Sequence, residues 1–182
     1  MTRRRRAVGV PVRRSSRVVQ SDTDVRRPGE SGVRRVTSGE CSEVGPVRAA
    51  DEDWVRLDGE VGLFVVADGM GGHQAGEIAS HLAVAPVAAE VRDGASDTWP
   101  DPGSAENLPA TLLRSALQAA NARVLHERRR RPGAPGIGTT ITALLTGAVA
   151  GSVGDSRAYL VRCGTTVQVT HDGHLARVNV RR

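Results

Sequence analysis

The chain contains no lysine, one tyrosine, one phenylalanine, two tryptophans and two cysteines in 182 residues. Each shortage removes a class of function. Without lysine there is no phosphate-loop lysine: Gly71 and Gly76 have the loop's glycine spacing, but the next residue is Glu77. With four aromatic side chains in all, base stacking has little to work with, which disfavours single-stranded nucleic acid as a partner. Cys41 and Cys163 stand single and far apart, and His73 and His81 lack zinc-protease spacing, so neither a disulfide framework nor a zinc site is implied. A dinucleotide fingerprint counted from Gly69 meets Gln74 where its last glycine belongs. No apolar run is long enough for a signal peptide or a membrane span, which points to the reducing cytoplasm.

Charge is abundant and unevenly placed. Residues 1–40 hold 11 Arg against 4 acids, a net of +7, whereas residues 41–182 hold 14 Arg against 16 acids, a net of −2. The sequence pI near 10.7 therefore belongs to the leader and does not describe the rest. That leader has neither a helical nor a strand period and reads as a disordered Arg-rich arm over 1–40, followed by one domain over 41–182.

The rest is organised around LFVVADGMGGHQAGEIAS, Leu63 to Ser80. An apolar run from Val61 to Ala67 suits a buried strand and ends on a carboxylate, Asp68, then Gly69. A carboxylate beside so much apolar surface requires a partner, and a cation is one candidate. Glycines 69, 71 and 72 let backbone groups approach a metal or an anion. One hairpin length earlier lies the acidic cluster Asp51, Glu52, Asp53. Trp54–Leu57 reads as a strand and Asp58–Gly59 as its turn, so Glu52 and Asp68 can meet at one end of a sheet.

Two helices follow. The first carries Ile78, Leu82, Ala85 and Ala89 at helical spacing, with Pro86 expected to kink or shorten it. The second carries Leu113, Leu117, Ala120 and Val124, with Asn107 as cap and the run Arg128–Arg131 as a solvated C-terminal end. From Gly138 the pattern changes to strands read as an antiparallel meander, with Gly154-Asp155-Ser156-Arg157 as one of its turns.

Taken together, RAADED at Arg48–Asp53, ADGMGGHQAGEIAS, GTT at Gly138–Thr140 and GDSRAYL at Gly154–Leu160 resemble the metal-dependent PPM or type 2C serine/threonine protein phosphatases, bacterial branch. The resemblance runs from about Ser42 to about His174. It implies an α+β fold, two antiparallel β-sheets packed as a sandwich with flanking α-helices. Carried over residue by residue, it implies that Asp68 bridges two Mn²⁺ or Mg²⁺ ions, that Glu52 and the Gly69 carbonyl complete one shell, and that Asp155 serves a further, weaker metal. It implies that Arg48 grips the substrate phosphate, with Asp53 and His73 at most outside the direct ligands. Hard oxygen donors suit these ions, and water between two of them attacks phosphorus directly. The implied partners are phosphorylated Ser/Thr proteins and an opposing serine/threonine kinase.

Two departures accompany the resemblance. Met70 stands where many eukaryotic members place a His, a candidate general acid. The later Asp-Gly and Asp-Asn motifs have no counterpart before Arg182, so the domain is expected to be incomplete at its C-terminus and to hold its second ion weakly. A catalytically inactive binding module of the same fold remains the alternative, with nucleic-acid binding through the Arg-rich arm behind it.

Overall fold

The computed structural model describes residues 17–26, 33–46, 48, 50–71, 74–94, 108–131, 136–145 and 149–172. Its centre is the hairpin of β3 (Asp53–Asp58) and β4 (Leu63–Met70). β6 (Ile141–Leu145) pairs with the other edge of β4, and β7 (Val149–Val153) pairs with β6. The two-residue β5 (Gly138–Thr139) pairs with Gly69 and Met70 at the end of β4, and every pairing is antiparallel.

Strand alternation gives this sheet two different faces. Leu63, Val65, Ala67, Ile141, Ala143, Leu145 and Val149 are buried beneath α1 (Gln74–Gly94) and α2 (Leu108–Arg130). The intervening residues Val66 and Leu144 lie on the opposite face and remain 45% and 40% exposed. α2 buries Leu113, Leu117, Ala120 and Val124, the stripe expected from the sequence. The Asn107 cap lies outside the described residues.

α1 departs from expectation in its phase. It buries Ala79, Ala83, Val84, Val87, Ala88 and Val91, while Ala85 and Ala89 are exposed, and it runs on through Pro86. Nearly every position from Ile78 to Ala89 is apolar, so composition alone does not choose the face. The alanines let the helix lie close against the sheet.

Asp58, expected in a turn, is instead the last residue of β3 and is buried, paired across the hairpin with Leu63. Its Oδ2 lies 2.6 Å from the Arg92 guanidinium on α1 and 3.8 Å from that of Arg56. An acid there is tolerated because the end of α1 brings a cation to it. The turn is the four residues 59–62.

The meander also divides. β8 (Tyr159–Arg162) and β9 (Thr165–Gln168) pair only with each other among the described residues, as a separate hairpin. The segment before β8 bonds back to β6, where the Thr142 hydroxyl donates to the Ser156 carbonyl at 2.9 Å, and so does not close a tight turn after β7. Arg157 instead forks onto Asp172 through Nε at 2.9 and 3.1 Å, joining the two ends of the β8–β9 hairpin. This pairing raises the guanidinium's pKa and lowers the carboxyl's.

The expected disordered leader is corrected over part of its length. β1 (Arg17–Arg26) and β2 (Val33–Ser42) form an antiparallel hairpin, from Arg17 opposite Ser42 to Arg26 opposite Val33. Val18, Val19, Thr23, Val25, Val36 and Thr37 favour strands without forming an apolar period, so backbone pairing supplies what hydrophobic alternation lacks. β2 crosses the expected boundary at residue 40, and the Ser42 hydroxyl donates to the Asp51 carboxylate. The antiparallel α+β class holds. Both cysteines are free and exposed, and no described helix is long and apolar enough to cross a membrane.

Removing the cation from a buried carboxylate costs more than an exposed ion pair contributes. Arg92 is itself half exposed, which moderates the loss. Arg92→Ala should lower unfolding free energy by about 1–2 kcal/mol in a urea titration. An unchanged midpoint would show that water serves Asp58 equally well.

Candidate active site

The register of β3 and β4 sets Asp53 directly opposite Asp68. Cross-strand partners share a face, so the two carboxylates stand side by side at the end of the sheet, on the face away from the helices. Burial, the Asp68 charge and the Asp51 charge together raise the Asp53 pKa to about 6, with a hydrogen bond to the Asp68 side chain adding to the rise and Arg48 opposing it. Arg48 is therefore within electrostatic range of the pair, and it is exposed.

Alternation sends the neighbouring Glu52 the other way. Its side chain is buried, with Oε2 2.0 Å from where a Cβ on Gly76 would sit, in the first turn of α1. A carboxylate suits the positive end of a helix. The Glu52 backbone stays with the site, since its carbonyl accepts the Gly69 N–H at 3.2 Å. A Cβ on Gly69 would stand 2.5 Å from that carbonyl oxygen and 2.3 Å from the Gly76 carbonyl oxygen, so both positions need glycine for close approach.

The sequence reading brought Glu52 to Asp68 and left Asp53 outside the direct ligands. In the structure Asp53 is the side chain beside Asp68, and Glu52 contributes its backbone there. Among the described residues no three His, Cys, Asp or Glu side chains gather into a cation cluster. His73 lies outside the described residues. Asp155 is exposed in the bend after β7.

Three residues not singled out from the sequence hold Asp68 in place. Thr140 N–H and Thr139 Oγ1 both donate to the Asp68 carbonyl at 2.9 Å. Asp68 N–H donates to Thr140 Oγ1 at 3.3 Å, and that hydroxyl lies 2.6 Å from Ser156 Oγ. The GTT and GDSR segments thus reach Asp68 through one hydrogen-bond chain that passes from β4 to the bend bearing Asp155. Two adjacent hydroxyls after a glycine were the available signal, read only as a strand opening.

The site's chemistry is that of oxygen donors and a like-charge pair. Carboxylates pressed together gain most from a hard divalent cation, which offsets both charges without requiring a proton. Asp53 and Asp68 fit such an ion; Glu52 and Asp155 do not join them in a single cluster.

Because the Asp53 pKa is raised on folding, its favourable contribution is complete below the ordinary carboxyl pKa and is lost as pH rises through about 6. In a chelator, Asp53→Asn should therefore melt above wild type at pH 7.5, with the gap closing as pH falls toward 5. A gap constant across that range would contradict the assignment.

Comparisons with known proteins identify the family. The family model described as Protein phosphatase 2C matches residues 48–178. The serine/threonine protein phosphatase PstP of Mycobacterium tuberculosis is 41% identical over 137 residues, covering 72% of this chain and 24% of PstP. The serine/threonine phosphatase Stp of Listeria welshimeri is 35% identical over 119 residues, covering 62% of this chain and 44% of Stp. Among solved structures, the catalytic domain of PstP in complex with two manganese ions superposes with a TM-score of 0.57 at 31% identity, over 86% of this chain and 56% of that one. PppA of Pseudomonas aeruginosa superposes at 0.56 and 30% identity over the same shares. The chain thus spans a quarter to about half the length of these relatives. With 131 consecutive residues matched by the family model, the chain belongs to the Protein phosphatase 2C family.

Proposed function

We propose that this chain takes part in hydrolysing phosphate monoesters of serine and threonine side chains in proteins, with Mn²⁺ or Mg²⁺ as cofactor. The observation that carries the reading is the convergence of three motifs, RAADED, ADGMGG and GTT, on the Asp53–Asp68 pair, with the fourth tied to it through Ser156. Asp68 and Asp53 would hold one ion by their carboxylates, with the Gly69 carbonyl as a further oxygen donor; Glu52, whose side chain turns toward α1, would offer only its backbone, and Asp155 is assigned to another ion. Divalent ions bound there supply Lewis acidity, offsetting charge on the phosphoryl oxygens and making water nucleophilic near neutral pH.

The chain's own residues do the rest. The exposed Arg48 guanidinium, close enough to Asp53 to act on its charge, is suited to a bidentate grip on phosphate at the same rim. Thr139, Thr140 and Ser156 keep the Asp68 backbone fixed, so its carboxylate need not reorganise as charge develops. Met70 is half exposed beside the site and offers no proton, which leaves the leaving alkoxide to be protonated by solvent.

Phosphorylated Ser/Thr proteins are the substrate class, with a serine/threonine kinase as the opposing activity. We place the protein in cytoplasmic signalling, on the absence of an apolar span long enough to cross a membrane among the described helices. Residues 41–182 carry the phosphatase fold in this reading, with the Arg-rich 1–40 segment apart from the chemistry.

The test is phosphate release from a phosphothreonine peptide, with calorimetric Mn²⁺ binding measured on the same preparations. Release that requires Mn²⁺, together with loss of both release and ion binding in Asp68→Asn, is the expected outcome. Release that is independent of the metal, or equal Mn²⁺ affinity in the variant, contradicts it. Mn²⁺ binding without release from wild type favours the inactive binding module.

A further inference from the structure

Arg128, Arg129 and Arg130 close α2 and are exposed, and Arg131 follows them in the chain. Arg131 pairs with Glu127, whereas among the described residues no ion pair engages the other three. Favourable interaction with the helix dipole accounts for their residue type. It does not account for where the fold puts them.

α1 begins at Gln74, just after the site loop, and runs away from it. At its far end a Cβ on Gly94 would stand 2.4 Å from Leu112, near the start of α2. α2 therefore returns antiparallel to α1. The helices have 21 and 23 residues, about 32 and 35 Å at 1.5 Å per residue, so the last turn of α2 comes back to the end of the sheet where α1 began. The chain beyond α2 agrees: Val124 and Ile137 share the core, the Gly136 carbonyl oxygen lies 3.0 Å from where a Gly71 Cβ would be, and β5 pairs with Gly69 and Met70 beside Asp68. Arg128, Arg129 and Arg130 lie about 100° apart around the helix and so spread their guanidinium groups over roughly 200° of its end.

We infer that Arg128–Arg130 form a docking surface for an acidic segment of the phosphoprotein substrate, within about eight residues of the phosphorylated side chain, the span an extended peptide covers in roughly 28 Å. The inference rests on the phosphatase reading above. Charge complementarity selects the occupant. The rim that must receive a phosphate dianion carries Asp51, Asp53 and Asp68, which repel it. A cationic run at the same end of the sheet, on the side that carries the helices, offsets part of that field and holds the acidic flank of a substrate that extends past the rim. An extended nucleic acid or an anionic membrane needs a wider basic surface than a body of net charge −2 over residues 41–182 supplies.

The test compares two fluorescein-labelled phosphothreonine peptides with one core sequence, carrying three Glu or three Gln six residues from the phosphothreonine. Fluorescence anisotropy in Mn²⁺ at low salt is read for wild type, for R128A/R129A/R130A and for R128E/R129E/R130E, with folding of each checked by circular dichroism. Alanine is the best helix former, which favours an intact helix end. Wild type should bind the Glu peptide about tenfold more tightly than the Gln peptide, as three exposed charge pairs allow. That preference should vanish in the alanine variant, reverse in the glutamate variant and shrink with added salt. Equal affinities in wild type, or an acidic preference kept by both variants, overturn the docking surface and leave the phosphatase reading standing. Affinity for both peptides unchanged by removal of the phosphate contradicts the phosphatase reading, and with it the docking surface that rests on it. Displacement of the Glu peptide by a DNA duplex or phosphatidylserine vesicles at lower charge concentration gives the run another partner and overturns the proposal.

Discussion

Two carboxylates set directly across an antiparallel pair repel one another, and in this fold the repulsion is fixed by register. Asp53 opposes Asp68 in the register of β3 and β4, and the alternation of β4 places Leu63, Val65 and Ala67 against the helices. Slipping the hairpin by one residue would relieve the acids and turn that whole face outward. The core therefore imposes the like-charge pair on the rim. Two carboxylates held together by packing would gain from a cation set between them.

The elements around the pair keep it from relaxing. Gly69 and Gly76 bring β4 and the first turn of α1 so close to Glu52 that a side-chain carbon would not fit at either position. On the other side, Thr139 and Thr140 hold both backbone groups of Asp68, and Ser156 extends the connection to the bend with Asp155. Motifs distant in sequence thus share one rigid support, the usual requirement for a site whose charges must be in place before a ligand arrives.

Much of this was legible in the residues. The apolar run ending in Asp-Gly gave β4 and its acidic end, and the preceding acidic cluster placed a second carboxylate within one hairpin. What the residues left open is which acid of RAADED meets Asp68. Strand alternation decides it, but the phase depends on where β3 begins, and Asp53 is its first residue. The phase of α1 was hidden for a similar reason, since an almost wholly apolar helix marks no single face. The leader's hairpin and the separation of β8–β9 depend on backbone pairing and on hydroxyl bonds from β6. Neither leaves a hydrophobic period to read.

The central claim is that the fold is poised to gain a divalent cation at Asp53 and Asp68. Thermal unfolding with increasing MnCl₂ at pH 7.5, for wild type and for Asp53→Asn/Asp68→Asn, tests it most directly, because an ion bound only by the folded state raises the melting temperature with its concentration. The account predicts a progressive rise for wild type and none for the double variant. Superimposable melts of wild type with and without Mn²⁺ would contradict it.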